Sequence, residues 1–411
     1  MKKCFSLFLS AVLIFQFIIS ASAKNVTKEN EELSSVFNSV AVSQNKTNIE
    51  NSPVEINAKS AILMDITTGK VLLEYNADEK LFPASVTKIM TMLLVMEAIK
   101  AGKITLTDIV VCSENAAKNG GSQIWLEPNE EMTVNDLLKA TAIGSANDAA
   151  TLLGEYISGS EEAFVALMNE RAKELGMKNT HFENATGLDD TTDTHLSTAR
   201  DIAIMSVELM KYELIRDYTT VWMDSLRNGE TELVNTNKLV RFYNGTTGIK
   251  TGTTDKAGCC ISASAKRDNL HLVAVVLGSE NSTDRFETAK ALLNYGFANF
   301  SLVELEIDSS AFNQVKVIGG ESSFITPFIE GEPLVLLKKG EEGKLEQIVA
   351  LTEKVDAPVS KNQKLGSVKF TLSGETVAEY PLLASEEIEK LTFYASFKRI
   401  IHFLASGEKI K

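Results

Sequence analysis

The run Pro83-Ala84-Ser85-Val86-Thr87-Lys88-Ile89-Met90-Thr91-Met92-Leu93-Leu94-Val95-Met96-Glu97-Ala98-Ile99-Lys100 decides how this chain folds. At about 100° per residue, Ile89, Met90, Met92, Leu93, Leu94, Val95 and Met96 cover nearly the whole circumference of a helix. A helix over Ser85 to Lys100 has no polar face to leave in water, so it belongs in the middle of a domain. Upstream, Ala58 to Asp65 and Val71 to Tyr75 read as two strands of a hairpin around Thr67-Thr68-Gly69. Downstream, helical patterns cover Thr133 to Ile143, Asp148 to Ile157, Ala163 to Leu175 and Thr198 to Lys211, the first opened by a capping-box-like Thr133 and Asp136. Strands return at Thr246 to Thr251, Cys259 to Lys266 and Leu270 to Leu277, a meander, and a helix over Asp284 to Phe297 follows. Strands at both ends and helices between them predict an α+β domain, its sheet joining the two ends of the segment.

After Phe300 the texture changes. Val303, Leu305 and Ile307 alternate with Glu304 and Glu306, and β-like runs recur at Leu334 to Leu337, Val368 to Leu372 and Thr376 to Tyr380. Gly319-Gly320, Gly331-Glu332-Pro333 and Ser373-Gly374 punctuate them, so residues 301–384 read as a small all-β domain.

The two ends are of another kind. Lys2 and Lys3, the apolar stretch Phe5 to Ile19 and Ala21-Ser22-Ala23 make residues 1–23 an export signal with a small-residue cleavage site. Residues 24–57 form a polar leader rich in Asn, Ser, Glu and Lys. In the tail, residues 385–411, a helix over Thr392 to Leu404 puts Phe393, Phe397, Ile400, Ile401 and Leu404 on one arc, with Lys398, Arg399 and His402 opposite. That pattern suits a helix lying on an anionic membrane surface, and its charges exclude a transmembrane span. The expected location is the outer face of the cytoplasmic membrane or the cell-wall space.

Composition narrows the function. The 411 residues are 44% hydrophobic and 23% charged, ordinary globular values. A net charge of −14 excludes nucleic acid as a partner. Four cysteines, with no C-x-x-C, exclude a disulfide scaffold; Cys259 and Cys260 read as small apolar strand residues. His181, His195, His271 and His402 are isolated and make no zinc motif, so neither metal nor cofactor is expected. The stretch Gly245 to Thr251 imitates a phosphate loop but has Ile249 where glycine must precede the lysine. His195, near Asp193, reads as structural.

Three motifs carry chemistry. Ser85-Val86-Thr87-Lys88 puts a serine and a lysine three apart, on one helix face. A serine needs an adjacent base, and a buried lysine beside a second cation, Lys250, can be one. The helix N-terminus and a strand-edge N–H offer donors to an oxyanion. Ser145-Ala146-Asn147 belongs on the turn between two helices, where a hydroxyl relays a proton and an amide binds a peptide carbonyl. Lys250-Thr251-Gly252 lies on a strand; Gly252 permits close approach of backbone and ligand, and Lys250, Thr251 and Thr253 offer charge and donors to a carboxylate.

The set resembles the penicillin-recognising serine enzymes. The stretches PASVTKIMT, IGSANDAA, FENATGL and GIKTGTT look like the D-alanyl-D-alanine carboxypeptidase branch, the low-molecular-weight penicillin-binding proteins. The resemblance covers about Ala58 to Phe300 strongly and Ser301 to Leu383 as the family's β-rich C-terminal domain. It implies a β-lactamase/transpeptidase-like domain over residues 58–300, an antiparallel sheet flanked by helices. It also implies a serine-type carboxypeptidase that removes the terminal D-alanine from peptidoglycan stem peptides and is inhibited by β-lactams. Ser85 would be the nucleophile, Lys88 its base and Ser145 a second catalytic group. Asn147, Lys250, Thr251, Gly252 and Thr253 would bind substrate. The alternatives are a D,D-endopeptidase, a class A-like β-lactamase and a non-catalytic β-lactam sensor. Against the lactamase stand Ser-Ala-Asn in place of Ser-Asp-Asn, the extra β domain and the basic tail.

Overall fold

The computed structural model describes residues 52–305, 307, 312–331, 333–394, 397 and 401. Strands β1 (Ser60–Asp65) and β2 (Val71–Tyr75) form the hairpin expected from their spacing. The buried helix is α1 (Lys88–Lys100), preceded by a 3-10 turn, Ala84–Thr87, that carries Ser85. Helices α2 (Val134–Lys139), α3 (Asn147–Ser158), α4 (Glu161–Glu174) and α5 (Ala199–Leu209) fill the centre. Strands β3 (Thr246–Thr254), β4 (Gly258–Arg267) and β5 (Leu270–Ser279) and helix α6 (Ser282–Asn299) close the domain.

The five strands form one antiparallel sheet in the order β2-β1-β5-β4-β3, so the first strand pairs with the last. Strand period two splits its side chains between two cores. Ile62, Met64, Val273, Val275 and Leu277 face α1 and the helical layer; Ala61, Leu63, Leu272, Ala274 and Val276 face Phe286, Leu292 and Leu293 of α6. Ten residues of α1 are buried, as a helix apolar on every side requires.

The helix expected over Thr133 to Ile143 starts as predicted, with the Thr133 hydroxyl accepting from the Asp136 N–H at 3.0 Å. It does not end as a regular helix. Residues Ala140–Gly144 form a π turn, and Ser145 follows in the left-handed region at φ 64°. Two short hairpins escaped the pattern reading, Ile109–Val111 with Glu131–Thr133 and Met223–Leu226 with Thr231–Val234. Their strands are too short for a period to show.

Beyond α6 the chain is all β. Phe300–Glu304 pairs with Leu334–Lys338, and a four-stranded sheet is built from Pro327–Phe328, Glu375–Ala384, Lys364–Leu372 and Leu345–Leu351. Leu302 and Leu336 join the α6-side core, and the Lys70 amine of the β1–β2 turn donates to Val377 O at 2.8 Å.

The tail reading falls mostly outside the described residues. Phe393, Tyr394, Phe397 and Ile401 are exposed, and Phe393 stacks on Phe397. No helix among the described residues is long and apolar enough to cross a membrane. The export-signal and leader readings, up to residue 51, lie outside them as well.

Candidate active site

Sheet order puts the three motifs together. Strand β3 is an edge strand, and it lies against the turn carrying Ser85. A Cβ at Gly252 would stand 2.8 Å from the Ser85 nitrogen and 2.9 Å from Ala84 Cβ. Glycine at this position is therefore required by the backbone of the nucleophile turn itself. Ala84 holds φ at 49°, an uncommon conformation for a residue with a side chain, directly before the half-buried Ser85.

Lys88 is fully buried, and its Nζ lies 3.0 Å from Ser85 Oγ, 2.5 Å from Asn147 Oδ1 and 2.9 Å from Thr186 O. The orientation of the Asn147 amide follows from its other end, where Nδ2 donates to Gly120 O at 2.6 Å. Asn147 Oδ1 and Thr186 O can only accept. Together they occupy the two hydrogens of a neutral amine and leave its lone pair facing the Ser85 hydroxyl. The electrostatics favour that neutral form. Burial first, then the Lys250 cation, hold Lys88 well below the ordinary lysine range, opposed by Asp148.

Lys250 is buried and donates to Thr251 O at 2.9 Å; burial and the nearby Arg285 lower it to about 7. Its amine does not touch Ser85 and acts on Lys88 through charge. The Thr251 hydroxyl donates to Thr236 Oγ1 at 2.7 Å, and Thr253, exposed at the end of the motif, donates to Gly252 O at 2.8 Å. Ser145 is buried beside Asn147, at the left-handed end of the π turn.

Three contributors lie outside the three chemical motifs. The Asn184 side chain accepts from Thr186 N and Gly187 N and donates to Leu188 O, folding the stretch Ala185–Leu188 into the loop that presents Thr186 O to Lys88. Gly187, at φ 86°, lets this loop touch the nucleophile turn: a Cβ there would lie 1.8 Å from Ala84 O. Arg285, on α6, donates to Gly252 O at 3.0 Å and Thr253 Oγ1 at 3.1 Å, and among the described residues it makes no ion pair. FENATGL, quoted for its family likeness, contains Asn184 and Gly187; nothing local marked Arg285. His195 is structural: Glu183 N donates to its Nδ1, so its Nε2 carries the hydrogen donated to Thr87 Oγ1 at 2.9 Å. Asp193 pairs with Lys256 instead.

A serine hydroxyl 3.0 Å from a buried lysine at a helix start, flanked by a second lysine on a sheet edge, is the arrangement expected of a serine acyl-transfer enzyme. Comparison with known proteins narrows the class. A family profile described as D-alanyl-D-alanine carboxypeptidase matches residues 45–281, and one described as penicillin-binding protein 5, C-terminal domain, matches residues 300–390. The D-alanyl-D-alanine carboxypeptidase DacF of Bacillus subtilis (strain 168) is 42% identical over 404 residues, 97% of this chain and 98% of that one. DacC of Escherichia coli (strain K12), of the same description, is 37% identical over 347 residues, 82% of this chain and 86% of that one. Among solved structures, penicillin binding protein 5 from Haemophilus influenzae superposes with a TM-score of 0.74 at 30% identity, covering 83% of this chain and 100% of that one. The chain belongs to the D-alanyl-D-alanine carboxypeptidase family of hydrolases.

Proposed function

We propose that the enzyme removes the terminal D-alanine from peptidoglycan stem peptides ending in D-Ala-D-Ala, through an ester on Ser85. The observation that carries the reading is the buried amine of Lys88 within hydrogen-bond reach of Ser85 Oγ, Asn147 Oδ1 and Thr186 O; with the amine neutral, the two acceptors take its hydrogens and its lone pair is left for Ser85. Lys88 takes the hydroxyl proton as Ser85 Oγ bonds to the carbonyl carbon of the scissile peptide. The oxyanion sits against backbone N–H groups of Ser85 and of strand β3. Collapse breaks the C–N bond, the leaving amine receives a proton relayed by Ser145, and D-alanine departs. Water then hydrolyses the ester and returns the proton to Ser85. Lys250, Thr251, Thr253 and the buried Arg285 supply cations and donors for the C-terminal carboxylate, and Asn147 keeps one amide hydrogen for a substrate carbonyl.

A β-lactam presents a strained amide beside a carboxylate and acylates the same serine. The solved penicillin-binding protein D2 from Listeria monocytogenes in its ampicillin-bound form, 29% identical with a TM-score of 0.55 over 60% of this chain and 100% of that one, supports this. The same reading has residues 1–23 direct export and residues 385–411 rest on the membrane surface, where Phe393, Tyr394, Phe397 and Ile401 are already exposed.

The test is D-alanine release from a pentapeptide ending in D-Ala-D-Ala, with labelling by a fluorescent penicillin read in parallel. Both signals are expected in wild type and neither in Ser85→Ala. Labelling without release would leave a β-lactam sensor, and folded wild type with neither signal would end the reading.

A further inference from the structure

Asp148 follows Asn147 on the first turn of α3, is 1% exposed, and has no part in the reaction steps above. Its carboxylate accepts from the backbone N–H of Ile124 at 3.1 Å and of Leu126 at 3.0 Å. Those two amides flank Trp125, which sits at φ 54° and is 74% exposed, while Ile124 and Leu126 are buried. A left-handed residue between two others turns neighbouring N–H groups toward one point, a small anion cradle that Asp148 fills.

The same segment holds Asn147. Asn147 N donates to Ser122 O at 2.7 Å, and its Nδ2 donates to Gly120 O. The bonds close a ring: Asp148 fixes residues 124 and 126, the segment's carbonyls at 120 and 122 fix Asn147, and Asn147 Oδ1 fixes Lys88. Arg227 adds an outer tie, donating to Ile124 O at 2.9 Å while paired with Glu130.

We propose that Asp148 is a positioning residue for acylation, its buried carboxylate latching the 120–126 segment so that Asn147 stays on the Lys88 amine. This rests on Lys88 being the base of the reaction. The charge of Asp148 acts on the same amine. Lys88 feels Lys250 from β3, Asp148 from α3 and His195 from the loop ahead of α5, and of these only Asp148 favours the protonated form. Asp148 in turn is faced by Lys88, Arg227 and the Cys112 thiol. Removing the anion therefore makes Lys88 easier to deprotonate even as the latch opens.

The other carboxylate oxygen accepts from Ala149 N at 2.9 Å. Asp148→Asn therefore keeps the shape and removes the charge but, whichever way its amide turns, sets an NH2 against a backbone donor, Ala149 N in one orientation and Ile124 N with Leu126 N in the other. Acylation by a fluorescent penicillin, followed against pH, should slow about 10- to 100-fold, the cost of a displaced base. The acid limb of its pH–rate profile should move to lower pH. Asp148→Glu, which keeps the charge but is one methylene longer, should slow acylation with the acid limb in place. A rate within twofold of wild type for Asp148→Asn, or a slow variant whose acid limb has not moved, overturns the proposal. Should the variants not fold, hydrogen exchange in wild type decides: Ile124 and Leu126 amides are expected to be protected beside the exposed Trp125, and exchange at free-peptide rates overturns the latch. Absence of Ser85-dependent labelling in wild type would instead overturn the reading of Lys88, leaving the two failures distinct.

Discussion

Replacing Gly187 by alanine tests whether the loop before α5 is packed onto the nucleophile turn. The added methyl would meet Ala84 O at 1.8 Å, Ala84 C at 2.4 Å and Thr87 Oγ1 at 2.8 Å, at a residue whose φ is 86°. The left-handed backbone costs about 1–2 kcal/mol, and overpacking against backbone that cannot swing aside costs about 1–3 kcal/mol more. Gly69→Ala is the control. Its φ is 69°, but nothing lies within 4 Å of the new methyl, so it bears the backbone cost alone. By thermal unfolding Gly187→Ala should melt lower than Gly69→Ala, by about 2–4 °C for each kcal/mol of clash. If the loop retreats instead, Thr186 O leaves the Lys88 amine, so penicillin acylation should fall in Gly187→Ala and stay at wild-type rate in Gly69→Ala. Equal melting temperatures and equal acylation rates in the two variants would refute the packing, and with it the role of Thr186 O.

Asn147→Leu removes the acceptor on Lys88 and the donor to Gly120 O; acylation should slow at least about tenfold, the size of leaving one buried hydrogen-bonding group unpaired, and a wild-type rate in stopped-flow labelling would contradict the lone-pair argument. Buried His195 and His271 each titrate near about 4, against 6.5 when free, burial being the first cause. The unfolded chain takes up protons first, so stability present above pH 6.5 is lost as pH falls through 4, up to about 3 kcal/mol for each histidine. Denaturant melts should lose that slope in part in His195→Gln, and an unchanged slope would count against burial of a neutral ring. Arg285→Gln should raise KM for the pentapeptide about 10- to 100-fold with kcat little altered; a fall in kcat alone would place Arg285 outside carboxylate binding.

The parts of this molecule written in local periods were legible. A helix apolar nearly all round from Ile89 to Ala98 forces its own enclosure, and the near-continuous apolar runs of β1 and β5 match strands buried on both faces. Ser85 and Lys88 were legible because i and i+3 on a helical turn share a face whatever surrounds them. Contacts between distant segments left no such trace. Arg285 reaches Gly252 from 33 residues away, and on the sequence it is one more charge on an ordinary helix. Asn184 and Gly187 lie in FENATGL, which showed only a family likeness; that this loop delivers a carbonyl to Lys88, 98 residues earlier, is set by packing alone. The π turn at Ala140–Gly144 likewise follows from placing Ser145 and Asn147 in the cleft, against a pattern that local propensity would have continued as regular helix.

What joins the legible motifs to the unmarked residues is a problem of charge. Lys88, Lys250 and Arg285 are all buried, and burial disfavours the charged form of each. Burial and Lys250 favour the neutral amine of Lys88, the form that the proposed reaction needs in a base. Arg285 cannot readily lose its proton and instead spends its hydrogens on Gly252 O, Thr253 Oγ1 and Cys260 O. Lys250, at about 7, lies between the two answers. A substrate carboxylate arriving beside Thr251 and Thr253 supplies the counter-charge that Lys250 and Arg285 lack, and so favours the protonated Lys250. A protonated Lys250 in turn keeps Lys88 neutral, because the two amines repel. In the proposed reaction the carboxylate that identifies the substrate thereby helps maintain the base that activates Ser85, and that reading disfavours peptides that end without a charge.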